Sequence, residues 1–205
     1  MLIFGHNHEI LKKIFQSVYW NFSEIKTKKI FLTFDDGPNP DVTAKVLDIL
    51  DKYNAKATFF CLGENVEKYP ELFYKIKEKN HSLGNHTYSH INGWFTKNKK
   101  YFKDIDRANF LIKSNLFRPP YGKITPAQIK TLKRQFKIVL WDVMSMDWNN
   151  NISKEKCLKN VFRHTRNGSI IVFHDTLKAQ EKLFYLLPLV LEKYSNLGFD
   201  FVSIK

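Results

Sequence analysis

Short apolar runs of strand length alternate along this chain with longer stretches in which apolar residues recur every three or four positions. Ile30-Phe31-Leu32-Thr33-Phe34 is β-branched and aromatic nearly throughout, and the stretch near Asp41 to Tyr53 that follows puts Val42, Val46, Ile49 and Leu50 on one helical face. Ala57 to Leu62 reads as a second strand and Pro70 to Lys79 as a second helix. A short strand at Ser82 to Asn85 leads to a long helix around Lys99 to Ser114, with Phe102, Ile105, Ala108, Leu111 and Ile112 on one face. Leu116 to Arg118 is a fourth strand, and the next helix is entered at Pro126, a favoured first-turn residue. Lys137 to Asp142, Ser169 to His174 and Phe199 to Ile204 supply the remaining strands, separated by helices near Ser153 to Thr165 and Ala179 to Ser195. Strands alternating with helices in this way imply an α/β fold with a parallel sheet, and such short buried runs suit a sheet closed, or nearly closed, into a barrel.

Ahead of this pattern, Ile10, Leu11, Ile14, Phe15, Val18 and Tyr19 fall at helical spacing, with Lys12 and Lys13 off their face. They predict an amphipathic helix in an N-terminal extension over residues 1–27, closing one end of a domain over residues 28–205. A helix lying on a membrane surface is the alternative. The longest apolar runs, such as Ile170-Ile171-Val172-Phe173, are far short of the roughly 20 residues that span a bilayer. Met1 to Glu9 carries no basic region followed by an apolar stretch and a small-residue cleavage site, which predicts no secretory leader and, on that ground alone, a cytoplasmic protein. Cys61 and Cys157 lie far apart and read as small buried hydrophobes. The 33 basic residues exceed the 20 acidic ones, for a net charge of +13. The lysines are scattered, the densest cluster is only Lys97-Asn98-Lys99-Lys100, and no nucleic-acid motif accompanies them, so no nucleic-acid partner is expected. If the charge serves function, an anionic polymer such as peptidoglycan suits it. Nothing in the pattern specifies an oligomer.

The candidate chemistry lies at strand ends. Asp35 and Asp36 stand where the first strand gives way to Gly37-Pro38. Adjacent residues point in different directions, so one carboxylate can hold a metal ion while the other reaches a water beside it; the bland alternative is a turn. His86 and His90 follow the third strand, and on a helix they would share a face and bind one ion; an isolated pair at this spacing is often incidental. With Asp36 they make a three-ligand set that leaves a position open, as catalytic zinc sites do. Arg118-Pro119-Pro120-Tyr121-Gly122 is a rigid turn, or else an arginine partner for a carboxylate followed by a stiff loop aiming a backbone N–H at negative charge. His174 ends the Ser169 to Phe173 run; it is either structural or, with an Asp nearby, a general acid. Trp148, after Asp147, is core or an aromatic wall for a sugar ring. In a parallel α/β barrel all these strand ends meet on one face.

Thr33 to Pro38, His86 to His90, Arg118 to Gly122, Asp147-Trp148 and Val172-Phe173-His174 resemble, in order and spacing, the five motifs of the polysaccharide deacetylases, carbohydrate esterase family 4 or NodB-homology domain. The resemblance implies a distorted (β/α)7 barrel, TIM-barrel-like and single-domain. It further implies hydrolysis of N-acetyl groups from amino sugars of a glycan such as peptidoglycan or chitin, at the cell envelope where the glycan is peptidoglycan. Asp36, His86 and His90 would ligate one divalent metal, commonly Zn2+, with Co2+ another candidate. Asp35 would be the base and Arg118 its orienting partner. The Tyr121 N–H would help hold the oxyanion, His174 would be the acid supported by Asp147, and Trp148 and Val172 would shape the pocket for the acetyl methyl. One motif departs from the family pattern: many members carry an Asp three residues before the Asp-Trp pair, where this chain has Met144. The stretch Ile91 to Lys100, with Trp94 and Phe95, is expected to wall the substrate groove. Two other readings stay open, a hydrolase of another C–N bond in a small amide or cyclic imide, and a non-catalytic glycan binder on the same barrel.

Overall fold

The computed structural model describes residues 17–205, in which nine strands form one sheet with every strand pair parallel. In chain order the strands are β1 (Val18–Tyr19), β2 (Lys29–Asp35), β3 (Ala57–Cys61), β4 (Ser82–Asn85), β5 (Leu116–Phe117), β6 (Lys137–Val139), β7 (Val143–Met144), β8 (Ile170–His174) and β9 (Asp200–Phe201). The helices are α1 (Thr43–Lys52), α2 (Gly63–Lys68), α3 (Pro70–Glu78), α4 (Asn98–Ile112), α5 (Pro126–Leu132), α6 (Lys154–His164) and α7 (Gln180–Asn196). Spatial order runs β1-β6-β5-β4-β3-β2-β8-β7, with β9 added beside β2. The sheet curls without a hydrogen-bonded ladder between β1 and β7. Just past β1, Asn21 bridges to Ser169 and the Phe22 N–H donates to the Gly168 carbonyl, so the gap is tied at the bottom of the curl. The result is a distorted, incompletely closed barrel.

Three expectations need correction. Of the helix expected over Ile10 to Tyr19, residues 10–16 lie outside the described residues, while Val18 and Tyr19 form β1 and pair with Ile138 and Val139. The strand expected over Lys137 to Asp142 ends at Val139, and the chain re-enters the sheet as β7 on the far side, against β8. The last strand is only Asp200–Phe201; beyond it the Val202 and Ile204 N–H groups bond to Ile30 O and Thr58 Oγ1.

Side chains alternate across β2 and β8 and build two different surfaces. Ile30, Leu32, Phe34, Ile171 and Phe173 face the helices and pack with Val46, Leu50, Leu187 and Val190. The opposite parity faces the inside of the curl: Phe31 and Ile170 pack with Phe60, Leu116 and Val139 as an apolar floor. Thr33 and Val172 are paired one step higher, and Asp35 and His174 above them at the mouth. The Asp35 and His174 side chains thus stand on a filled apolar plug.

Candidate active site

Arg118 is the anchor of the site. It is wholly buried, and its guanidinium uses most of its donors: Nη1 to Thr33 Oγ1 and Asp35 Oδ1, each at 2.7 Å, Nε to Val139 O at 3.2 Å and Nη2 to Leu140 O at 3.0 Å. The Phe60 ring lies 4.1 Å below it, and Gly84 makes that possible, since a Cβ there would stand 2.3 Å from the ring. Arg118 therefore fixes one carboxylate oxygen of Asp35 and links four strands.

Asp36 follows with a left-handed backbone, φ 76°, which turns its side chain away from that of Asp35. Its Oδ1 lies 3.2 Å from His90 Nε2 and 3.5 Å from His86 Nε2 and is buried without a hydrogen-bond partner. The stretch carrying the histidines is a loop and not a helix; Thr87 and His90 have φ of 67° and 54°. Asp104 of α4 holds it by accepting from the N–H groups of Tyr88 and Ser89 and from the Ser89 hydroxyl. His86 Nδ1 lies 2.7 Å from the Arg118 carbonyl, which can only accept, so Nδ1 holds the hydrogen and Nε2 presents its lone pair. Burial lowers the His86 pKa to about 4, which keeps the ring neutral as a ligand must be. Burial opposes the charge on Asp36, but its contact with His90 and the fields of His174 and His86 outweigh it and hold the carboxyl well below the usual range.

The three donor atoms lie within 4.8 Å of one another. A tetrahedral ion with bonds of about 2.0–2.1 Å sets its ligand atoms about 3.3 Å apart, close to the spacing from Asp36 to each imidazole. An orphaned carboxylate oxygen facing two imidazole nitrogens is a donor set that fits a divalent ion.

On the other side, Asp147 is fully buried and both its oxygens are engaged by His174, Oδ2 by the backbone N–H and Oδ1 by Nδ1, each at 2.8 Å. Burial disfavours the imidazolium, but the Asp147 charge and hydrogen bond, with the fields of Asp36 and Asp35, outweigh it and raise the His174 pKa to about 9. With Nδ1 committed, Nε2 is the free edge of the ring. Met144 sits in β7 with its carbonyl accepting from Asn160 Nδ2, so the departure from the family pattern leaves His174 fully supported by Asp147. Val172 is buried below His174, and Trp148 is half-buried with Lys178 Nζ 5.7 Å from its ring. Tyr121 has φ 60° in a 3-10 turn, Pro120–Gly122, and its ring covers His90, with the hydroxyl 3.1 Å from Nδ1.

Two residues of the site, Asp175 and Thr43, were given no role by the sequence reading. Asp175 is fully buried and accepts from the Gly37 N–H at 3.1 Å and from the Thr43 hydroxyl, while its own N–H donates to Asp35 O. Burial, reinforced by Asp36 and against the Thr43 bond, pushes its pKa up to about 8. Its place directly after His174 was the only available signal, because Thr43 is 132 residues away.

Comparisons with known proteins identify the family of this chain. A family model described as polysaccharide deacetylase matches residues 23–137. A peptidoglycan-N-acetylglucosamine deacetylase of Bacillus cereus is 35% identical over 185 residues, covering 86% of this chain and 86% of that protein. A second Bacillus cereus protein of that name is 39% identical over 155 residues, covering 72% of this chain but only 56% of the relative. Among solved structures, the Bc1960 peptidoglycan N-acetylglucosamine deacetylase, in complex with an N-hydroxybenzamide, has a TM-score of 0.87 at 32% identity and covers 94% of each chain.

Proposed function

The chain belongs to the polysaccharide deacetylase family, and from that premise we propose that it removes N-acetyl groups from amino sugars of peptidoglycan, working at the cell envelope. The observation that carries the reading is the pairing of Asp35 with His174 on adjacent strands, a carboxylate fixed by Arg118 and an imidazole bonded to Asp147, beside the Asp36-His86-His90 cluster. Relatives named as peptidoglycan deacetylases supply the substrate class.

Asp36, His86 and His90 would hold one divalent ion, zinc by donor type, and the ion would supply Lewis-acid polarisation of the acetyl carbonyl and acidify a water. Asp35 accepts the proton of the attacking water through its oxygen not bound to Arg118. Arg118 holds the carboxylate in place through a charge-assisted hydrogen bond. The new C–O bond forms at the acetyl carbon, and the Tyr121 N–H, presented by the left-handed turn, donates to the developing oxyanion. His174 then gives its Nε2 proton to the sugar nitrogen as the C–N bond breaks, and Asp147 stabilises the imidazolium until that transfer. Acetate and a free amino sugar leave. Trp148 and Val172 border the acetyl group.

Mass spectrometry of peptidoglycan glycan strands and chito-oligosaccharides incubated with metal-loaded protein tests this. Loss of acetyl by the wild type and not by Asp35→Asn is expected. No loss from either glycan, with the ion bound, would move the activity to another C–N bond.

A further inference from the structure

Exposed aromatic residues are concentrated on one rim of the mouth. Among the described residues, eight large hydrophobic side chains are exposed, and three of them, Trp94 (53%), Phe95 (82%) and Tyr121 (53%), lie on the two neighbouring loops that follow β4 and β5. Rings this exposed bury nothing of the protein's own core, and clustered beside a site they mark a binding surface. Lys123 stands between two of them, its Nζ 5.4 Å from the Trp94 ring and 5.5 Å from that of Phe95.

The ledge is built rather than loose. Trp94 Nε1 donates to Ile124 O at 3.2 Å, joining the two loops. Gln128 Nε2 donates to Gly93 O at 2.9 Å, and its Oε1 accepts from the Thr125 N–H at 2.9 Å. Gly93 is pressed so closely on the second loop that a Cβ would lie 2.5 Å from Lys123 O. His90 immediately precedes the first loop and touches Tyr121 at the head of the second, so the ledge runs directly from the ligand cluster.

We propose that the Trp94-Phe95-Lys123 ledge is a subsite for a sugar that carries its own carboxylate, as the lactyl ether of N-acetylmuramic acid does; this rests on the glycan reading above. Aromatic faces take the C–H face of a pyranose, which a neutral sugar would satisfy equally. The ammonium beside both rings adds what a neutral sugar leaves unused, a positive charge next to the stacking surface. A carboxylate borne by the stacked sugar itself is the group that such a charge would pair with. The net charge of +13 raises the local concentration of such a polyanion without choosing the subsite.

Isothermal titration of the metal-loaded protein decides it by binding alone. The ligands are a peptide-free GlcNAc-MurNAc tetrasaccharide, the same glycan with its lactyl carboxylates converted to methyl amides, and chitotetraose. The wild type should prefer the acidic tetrasaccharide to its amide by about fivefold, the scale of one partly exposed ion pair, and lose that preference in high salt. Lys123→Met should bring the ratio to about one, and Phe95→Ala should weaken all three ligands; both positions are at the surface, and matching melting curves would show that the fold is intact. Equal wild-type affinity for acid and amide, or a preference that survives Lys123→Met, would overturn the subsite. Binding that depends on Lys123 without acetyl release would instead overturn the deacetylase reading and leave the subsite standing.

Discussion

The Asp175 carboxylate fills the space in which a side chain at residue 37 would lie: a Cβ on Gly37 would stand 2.1 Å from Asp175 Oδ2. That carboxylate also accepts the Gly37 N–H and so fixes the backbone immediately after the Asp35-Asp36 pair. Gly37→Ala is expected to cost about 1–3 kcal/mol, from overpacking and the lost hydrogen bond, and to weaken ion binding through Asp36. Asp175→Ala makes room for the methyl group, so the two changes together should cost less than their sum in thermal unfolding and in metal titration. Additive costs would show that Asp175 does not hold the turn.

His174 gives the site a pH signature. Its pKa of about 9 in the folded protein lies above the ordinary 6.5. The stability contributed by the His174-Asp147 pair is therefore fully present below pH 6.5 and is lost as pH rises through about 9. Ring titration of the metal-free protein by NMR should show His174 protonated at neutral pH. In Asp147→Asn, the largest charge opposing burial is gone and only the fields of Asp36 and Asp35 remain, so the pKa should fall well below that of the wild type. A His174 that titrates alike in both proteins would remove Asp147 as its support.

Arg118→Met removes the cation from a buried pair and leaves the Asp35 carboxylate without its hydrogen-bonded counterion. Breaking such a pair costs about 3–5 kcal/mol, and denaturant unfolding should show a loss on that scale. Lysine at this position, a point charge without the planar fork, cannot reach Asp35, Thr33 and two carbonyls together and should recover little of it. Near-complete recovery by Arg118→Lys would mean that charge alone, and not the fork, holds the strands.

The legible part of this molecule was what strand pattern and strand-end chemistry carry. The apolar runs before Asp35 and His174 placed those ends correctly because buried apolar strands leave a strong pattern. β1 and β7, two residues each, went unseen, whereas β5 and β9, equally short, lie inside runs that read as strands; Val18 and Tyr19 of β1 were absorbed into a helical apolar pattern. The four-residue spacing of His86 and His90 suits a helix, yet the rings converge from a loop with left-handed residues, fixed by Asp104 from another helix. Long-range contacts of this kind, like that of Thr43 with Asp175, have no local sequence signal.

The proposed function gives the neighbours Asp35 and Asp36 separable duties, and Asp35→Asn tests that separation. Asp36, His86 and His90 are untouched by that change, so about one divalent ion per chain should still bind, as the three-donor set requires. The amide keeps an oxygen for Arg118 Nη1 but cannot take a proton from water, so acetyl release should fall by a factor on the order of 10² to 10⁴. The neutral side chain also leaves the Arg118 charge without its counterion. A stability loss is therefore expected, and it should shrink in the Asp35→Asn/Arg118→Met double variant, where neither buried charge remains. Metal content, turnover and unfolding measured on the same preparations distinguish the outcomes. Turnover lost together with the ion would place Asp35 in the ligand set, whereas turnover retained with the ion would take the base role from it.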